Sequence, residues 1–165
     1  MTRYEISRRS FLNLPSVILI TLGFWLSASL VIDVMVLPAL ATAGMTTSPE
    51  FASAGMLIFG IFNRVEMLCA AIILAVSLSL HRLPSPEHTL GTGLLLSAGA
   101  LFVLPLIYGL GLIPEMVSLS SNLSWFESAR PMTSQMFNAH ICYWLLEVAK
   151  FGLGFGLLGW SLRQR

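Results

Sequence analysis

Six residues in this chain pair reactive chemistry with an unusual position: Asp33, Asn63, Arg64, Glu66, Glu147 and Lys150 each interrupt a long apolar run. In hydrocarbon an ionised side chain is costly unless it is paired or hydrated, so a group retained there needs a partner or a task. Asn63 and Glu66 share one helical face at i, i+3. Glu147 and Lys150 share another, which His140, Tyr143 and Gly154 continue. The signs do not cancel, because Asp33, Glu66 and Glu147 stand against Arg64 and Lys150 and one carboxyl is left over. Such a set can act as an ion-pair network that fixes helix register. In that network the surplus carboxyl is protonated; the alternative is a proton or ion relay, or a polar pocket for a ligand head group.

A second candidate site is a group of soft donors. Met45, Met56, Met116, Met132 and Met136 gather beside His140 and Cys142 around the same connectors. In a helix Met132, Met136 and His140 stack at i, i+4, i+8, and thioether with imidazole is a donor set suited to Cu(I). The competing reading is that methionine is an ordinary apolar residue at a bilayer boundary. His81 and His88 belong to a connector at the opposite end from His140, so a two-histidine haem has no support. Cys69 lies deep in one apolar run and Cys142 near the start of another, which argues for two reduced thiols rather than a disulfide. There is no CxxC pair, no nucleophile with its base and no phosphate-cradling glycine loop, and an enzyme is therefore not expected. Cu(I) is the one cofactor the residues suggest.

The elements that must position these groups are apolar segments at roughly 15–42, 53–80, 90–114 and 138–162, each long enough for the ~20 residues of a bilayer crossing. Of the 165 residues 56% are hydrophobic and 10% charged, and the mean hydropathy of +0.82 would coat a soluble domain in apolar surface. A lipid bilayer is the natural solvent. The expected fold is all-α: residues 1–165 as a single four-helix transmembrane bundle. Counted from their outer ends, the buried charges fall roughly 9 to 13 residues in, one layer near the midplane at about 1.5 Å per residue. A net charge of +1 offers no basic face for nucleic acid.

Arginine placement sets the expected direction. Arg3, Arg8 and Arg9 precede the first span, Arg82 sits in the middle connector, and Arg163 and Arg165 follow the last, against Arg130 alone on the other side. Both termini are expected to be cytoplasmic. The long connector then lies outside, with Trp125 and Phe126 at the membrane interface, and its "NLS" at Asn122 matters only in a eukaryotic secretory setting. The opening "ISRRSFLNLPSVIL" has the look of a twin-arginine export signal, and "ALATAG" at 39–44 offers an A-x-A arrangement. The apolar run from Pro15 to Pro38 nevertheless exceeds the ~7 to 15 residues of a signal's core, contains Asp33 and leads into further spans. Arg8 and Arg9 are expected to be positive-inside anchors on a retained helix. Gly152 and Gly156 form a GxxxG, expected to pack within the bundle, and Gly109 and Gly111 beside Tyr108 and Pro105 suggest a bent or closely packed third helix.

The stretches "GFWLSASLVIDVMVLPAL", "SAGMLIFGIFNRVEML" and "HICYWLLEVAKFGLG" resemble a family of four-helix membrane proteins of unknown function. That family is related to a eukaryotic four-span transmembrane family and more distantly to copper-resistance inner-membrane proteins. The resemblance implies the four-helix fold and a bacterial inner membrane or its equivalent, the thylakoid included. It brings no agreed catalytic residues. The expectation is a small integral membrane protein with a buried charge cluster at the midplane, acting as an accessory or assembly partner of a membrane complex. The different-class expectation is a proton-coupled transporter or a copper-handling protein. Its expected partners are the bilayer and another membrane protein.

Overall fold

A computed structural model describes residues 14–42, 49–82, 88–116 and 134–163, and these are entirely helical. In chain order the elements are α1 (Leu14–Val31), α2 (Leu37–Thr42), α3 (Pro49–Arg82), α4 (His88–Ile107) and α5 (Ser134–Arg163). Two π-helical turns, Ile32–Val36 and Tyr108–Leu112, continue α1 into α2 and extend α4, whose helix runs on to residue 116. Arg3, Arg8, Arg9, Met45, Asn122, Trp125, Phe126, Arg130, Met132 and Arg165 lie outside the described residues.

Four helical stretches are long and apolar enough to cross a membrane: Leu14–Ala39, Leu57–Arg82, Thr92–Met116 and Phe137–Arg163. Their outer surface is mostly apolar, with Phe24, Leu57, Leu68, Leu96, Leu110 and Val148 all exposed. Asp33, Asn63, Glu66, Glu147 and Lys150 turn inward instead, while Arg64 remains outside.

Around the bundle each helix packs against its neighbours in sequence, α1 on α3, α3 on α4, α4 on α5 and α5 back on α1. Six residues separate α2 from α3 and five separate α3 from α4. Connections that short join antiparallel neighbours. The direction of α5 follows from its pairings with α1: Asp33 meets Tyr143, whereas Leu26, seven residues earlier, stands against Gly154. So α5 is antiparallel to α1, and Arg82 and Arg163 close the same end of the bundle.

Each π turn has a proline in its vicinity, Pro38 just after the first and Pro105 just before the second. Proline lacks the N–H that would close an ordinary helical turn and crowds the carbonyl four residues back. In the π turns Leu37 N–H bonds the carbonyl of Ile32, and Ile113 N–H bonds that of Tyr108, an i to i−5 step in both cases. One residue is thereby accommodated without breaking the helix, and the face downstream rotates by about 100°.

The apolar core occupies the half of the bundle nearer Arg82 and Arg163, around Ile18, Leu22, Ile73, Leu101 and Leu157. A smaller cluster of Tyr108, Leu112 and Ala139 lies towards the other end. Glycine use departs from the sequence expectation. A Cβ on Gly154 would stand 2.8 Å from Leu26 Cδ2, so Gly154 is the residue that lets α5 approach α1. Gly152 and Gly156 face outward, with open space where a Cβ would sit, so the GxxxG does not pack within the bundle. At 100° per residue, positions 152 and 156 lie on the side of α5 opposite 154.

Candidate functional site

The site lies between the two apolar clusters and is centred on Lys150, whose side chain is 1% exposed. Its Nζ donates at 2.7 Å to Glu66 Oε1 and at 2.7 Å to Glu147 Oε1. Glu147 Oε2 is also 2.7 Å from Nζ, an ion contact that lacks hydrogen-bond direction. The ammonium is further flanked by the rings of Tyr108 and Phe151, at 6.0 and 5.8 Å from their centroids, the outer limit of a cation–π contact. Pairs of this kind, charged and dry, are held by geometry and by every lone pair that finds a donor.

Two aromatic side chains complete the acids. Trp25 Nε1 donates to Glu66 Oε1 at 2.9 Å, so that one oxygen accepts both an indole and an ammonium proton. Tyr108 donates to Glu147 Oε1 at 3.0 Å. The same hydroxyl is 3.5 Å from the carbonyl of Tyr143. A hydroxyl has one proton to give, and the shorter bond to a carboxylate is the stronger choice. Tyr143 in turn donates to Asp33 Oδ1 at 2.6 Å, and its ring lies 5.7 Å from that of Tyr108 and 6.1 Å, edge-on, from Phe59. The result is a file of polar groups running Asp33, Tyr143, Tyr108, Glu147, Lys150, Glu66, Trp25, in which Tyr143 and Tyr108 meet through their rings and not through their hydroxyls.

All four spans supply a member. Asp33 sits in the first π turn and Tyr108 opens the second, so both irregular turns carry a group that faces the core. Turns of this type often accompany functional sites because they re-aim one face without ending the helix. The sequence alone assigns Tyr108 to packing and does not single out Trp25. Both read as ordinary aromatics of an apolar helix until the tertiary structure gives their polar ends a partner.

Asp33, Asn63, Glu66, Glu147 and Lys150 are all buried. Asn63 lies against Gly109 of the third span: a Cβ there would be 2.5 Å from its Nδ2, while Oδ1 is the far end of the amide. Arg64 is placed differently. It is exposed on the outside of the bundle, and among the described residues no ion pair joins it. One step from Asn63 and two from Glu66, it lies about 100° and 200° around α3 from them. Among the described residues the core therefore holds three carboxyls and one ammonium, a larger acid excess than the sequence suggests.

Several buried polar atoms of the site have no hydrogen-bond partner: Ser29 Oγ, Asp33 Oδ2, Asn63 Oδ1 and Glu147 Oε2. Buried polar groups in folded proteins are ordinarily satisfied, so such a concentration calls for a reason.

The methionine face is only partly in view. Met136 belongs to α5 and His140 is half-buried there, while Met132 lies outside the described residues. Among the described residues no group of three His, Cys, Asp or Glu side chains is arranged to hold a metal ion. Cys69 is buried, Cys142 exposed, and both are free thiols. No family model, curated protein or solved structure matches the chain.

Proposed function

We propose that the protein is an integral membrane four-helix bundle whose polar core carries protons, in the manner of a proton-coupled transporter. The observation that carries this reading is the acid excess itself: among the described residues three buried carboxyls stand against one buried ammonium, which contacts Glu66 and Glu147 only, and Asp33 keeps an unpartnered oxygen. A register lock gains from full satisfaction of its polar atoms, and an ionised group left unpaired in a dry interior costs several kcal/mol. Protons are the simplest charge that restores balance. Tyr108, Glu147, Lys150 and Glu66 form one hydrogen-bonded run through which they can be exchanged, and Asp33 with Tyr143 forms a second, the two runs meeting where the rings of Tyr108 and Tyr143 lie 5.7 Å apart.

Membrane insertion is supported by the apolar exterior and by span length. Spans of 25 to 27 residues rise about 38–40 Å at ~1.5 Å per residue, enough for a hydrocarbon core of about 30 Å with some tilt. In the most apolar 18 residues of each span only 22% to 33% are buried inside the bundle, so the rest need lipid or protein around them. Arg82 and Arg163 at one end favour that end as the cytoplasmic side of a bacterial inner membrane or its equivalent. The test is reconstitution into liposomes carrying an internal pH dye, with a potassium diffusion potential as the driving force. Wild-type vesicles are expected to acidify faster than protein-free vesicles. Equal rates would remove the proposal.

A second reading, an accessory or assembly partner of a membrane complex, has its own observations. Arg64 is exposed within the second span, and Gly152 and Gly156 leave an open small-residue strip on the outer face of α5. An arginine at such depth is usually covered by protein or reaches the interface, and small residues permit close helix approach. Purification in mild detergent separates the two readings: an accessory protein brings one stoichiometric partner, whereas a carrier purifies alone.

A further inference from the structure

We propose that the outer half of the polar core is a binding site for a small monovalent cation of the sodium class, ligated by Ser29 Oγ, Asp33 Oδ2 and Asn63 Oδ1. The inference rests on the proposed function in one respect, that the acid excess of the core is balanced by mobile positive charge.

Ser29 and Asn63 share a level, and Asp33 stands about one helical turn, ~6 Å, further along α1. Trp25 of α1 meets Glu66 of α3, and the helices are antiparallel. Three residues back along α3 is Asn63, which falls level with residue 28, so Ser29 is within one residue, about 1.5 Å, of its height. Asp33 is four residues beyond Ser29 on the same face, and its position in the π turn keeps it directed to the core. Each of the three is more than nine-tenths buried.

Their orientation is as informative as their height. A serine inside a helix ordinarily donates to the carbonyl four residues back. Ser77 does so to Ile73 at 2.7 Å, and Ser79 to Ala75 at 2.9 Å. Ser29, fully buried on the core side of α1, makes no such bond, and its oxygen is without a partner. Asn63 has its amide nitrogen against the backbone of Gly109, which leaves the carbonyl oxygen as the end directed away from that helix. Asp33 has Oδ1 held by Tyr143 at 2.6 Å, so Tyr143 fixes the carboxylate with Oδ2 free. Among the described residues the two remaining unpartnered buried groups, Trp160 Nε1 and Ser161 Oγ, lie in the last turns of α5, about ten residues and ~15 Å from Lys150.

The donor set defines the ligand. A hydroxyl, an amide carbonyl and a carboxylate are hard oxygen ligands, suited to alkali and alkaline-earth cations and unsuited to soft copper or zinc. One carboxylate with two neutral oxygens supplies a single negative charge, which matches a monovalent ion. Glu147 Oε2 remains with Lys150, 2.7 Å from its ammonium. The cation and the ammonium thus divide the acids between them.

The experiment uses the full chain in lipid nanodiscs, with radioactive sodium measured at equilibrium against choline at constant ionic strength. Wild type is expected to bind sodium saturably and to unfold at a higher temperature in sodium than in choline. Ser29→Ala and Asn63→Ala should lose saturable binding, whereas Ser79→Ala, on the exposed side of α3, should bind as wild type. Saturable binding that persists in Ser29→Ala with Asn63→Ala combined overturns the location. No saturable binding by folded wild type overturns the proposal outright. Proton flux of wild-type vesicles in sodium-free choline medium is recorded in parallel. Flux without sodium binding rejects the cation site and leaves the proton reading standing, and sodium binding without flux does the reverse.

Discussion

Glu66 and Lys150 meet at 2.7 Å across the diagonal of the bundle, between α3 and α5, whose backbones pack against α1 and α4 and not against each other. Their contact is made by side chains alone. It ties the two helices through the axis at the height where Trp25 and Glu147 also converge.

Removing the ammonium should therefore cost far more than removing a surface charge. Lys150→Met leaves the carboxylates of Glu66 and Glu147 together and dry, and breaking a buried pair from one side costs about 3–5 kcal/mol. Chemical unfolding in micelles is expected to show a loss of that size. Glu66→Gln introduced with Lys150→Met should recover part of it, since the repulsion falls. A loss below ~1 kcal/mol, the range of exposed ion pairs, would mean that the lysine is hydrated.

Trp25→Phe keeps an aromatic ring, though a smaller one, and removes the donor to Glu66 Oε1. Hydrogen bonds to charged groups contribute about 1.5–3 kcal/mol, and the thermal unfolding midpoint is expected to fall accordingly. Trp160→Phe serves as the comparison, because its Nε1 has no partner to lose. Equal effects from the two changes would contradict the assignment of the indole to Glu66.

The glycines of α5 should separate by face. Gly154→Ala brings a methyl to 2.8 Å from Leu26 Cδ2 and is expected to destabilise by about 1–3 kcal/mol through overpacking. Gly152→Ala and Gly156→Ala meet open space, and the gain in helix propensity is up to about 1 kcal/mol each. Greater sensitivity of the outward pair in the isolated protein would mean that α5 is rotated, with Gly152 and Gly156 turned to the core and Gly154 away from it.

Much of this architecture is legible in the sequence, for a physical reason. A crossing needs some 20 apolar residues, and a run that long has few other uses, so the four spans stand out with ends within a few residues of their structural bounds. Asp33, Asn63, Glu66, Glu147 and Lys150 are equally visible, because a charge or amide inside such a run is expensive. Charge alone groups Arg64 with them, but its angle does not: it sits one residue from Asn63, on another face. Tyr108 and Trp25 give no signal, since phenol and indole are at home in apolar helices. The π turns follow from a shift of hydrogen bonding that composition does not record, although Pro38 and Pro105 mark their neighbourhoods.

Tyr108→Phe and Tyr143→Phe test the file of polar groups at its narrowest point. Each removes one hydroxyl with little change of shape, at a stability cost of about 1–3 kcal/mol where a carboxylate loses its donor. In proteoliposomes each is expected to slow potential-driven acidification, and the double variant should be no slower than the worse single, as steps in series require. Additive slowing would indicate two separate routes.

The most direct measurement pairs two readouts on Glu147→Gln in one preparation: potential-driven proton flux and the thermal unfolding midpoint. Glutamine retains an acceptor for Lys150 and Tyr108 but cannot be a titrating acid. Flux is expected to fall to the protein-free rate with a midpoint within about 4 °C of wild type, the shift worth ~1 kcal/mol in a chain of this size. Undiminished flux, or a collapsed midpoint that recovers when Lys150 is also neutralised, would show that the acids of the core hold the helices in register and do not carry protons.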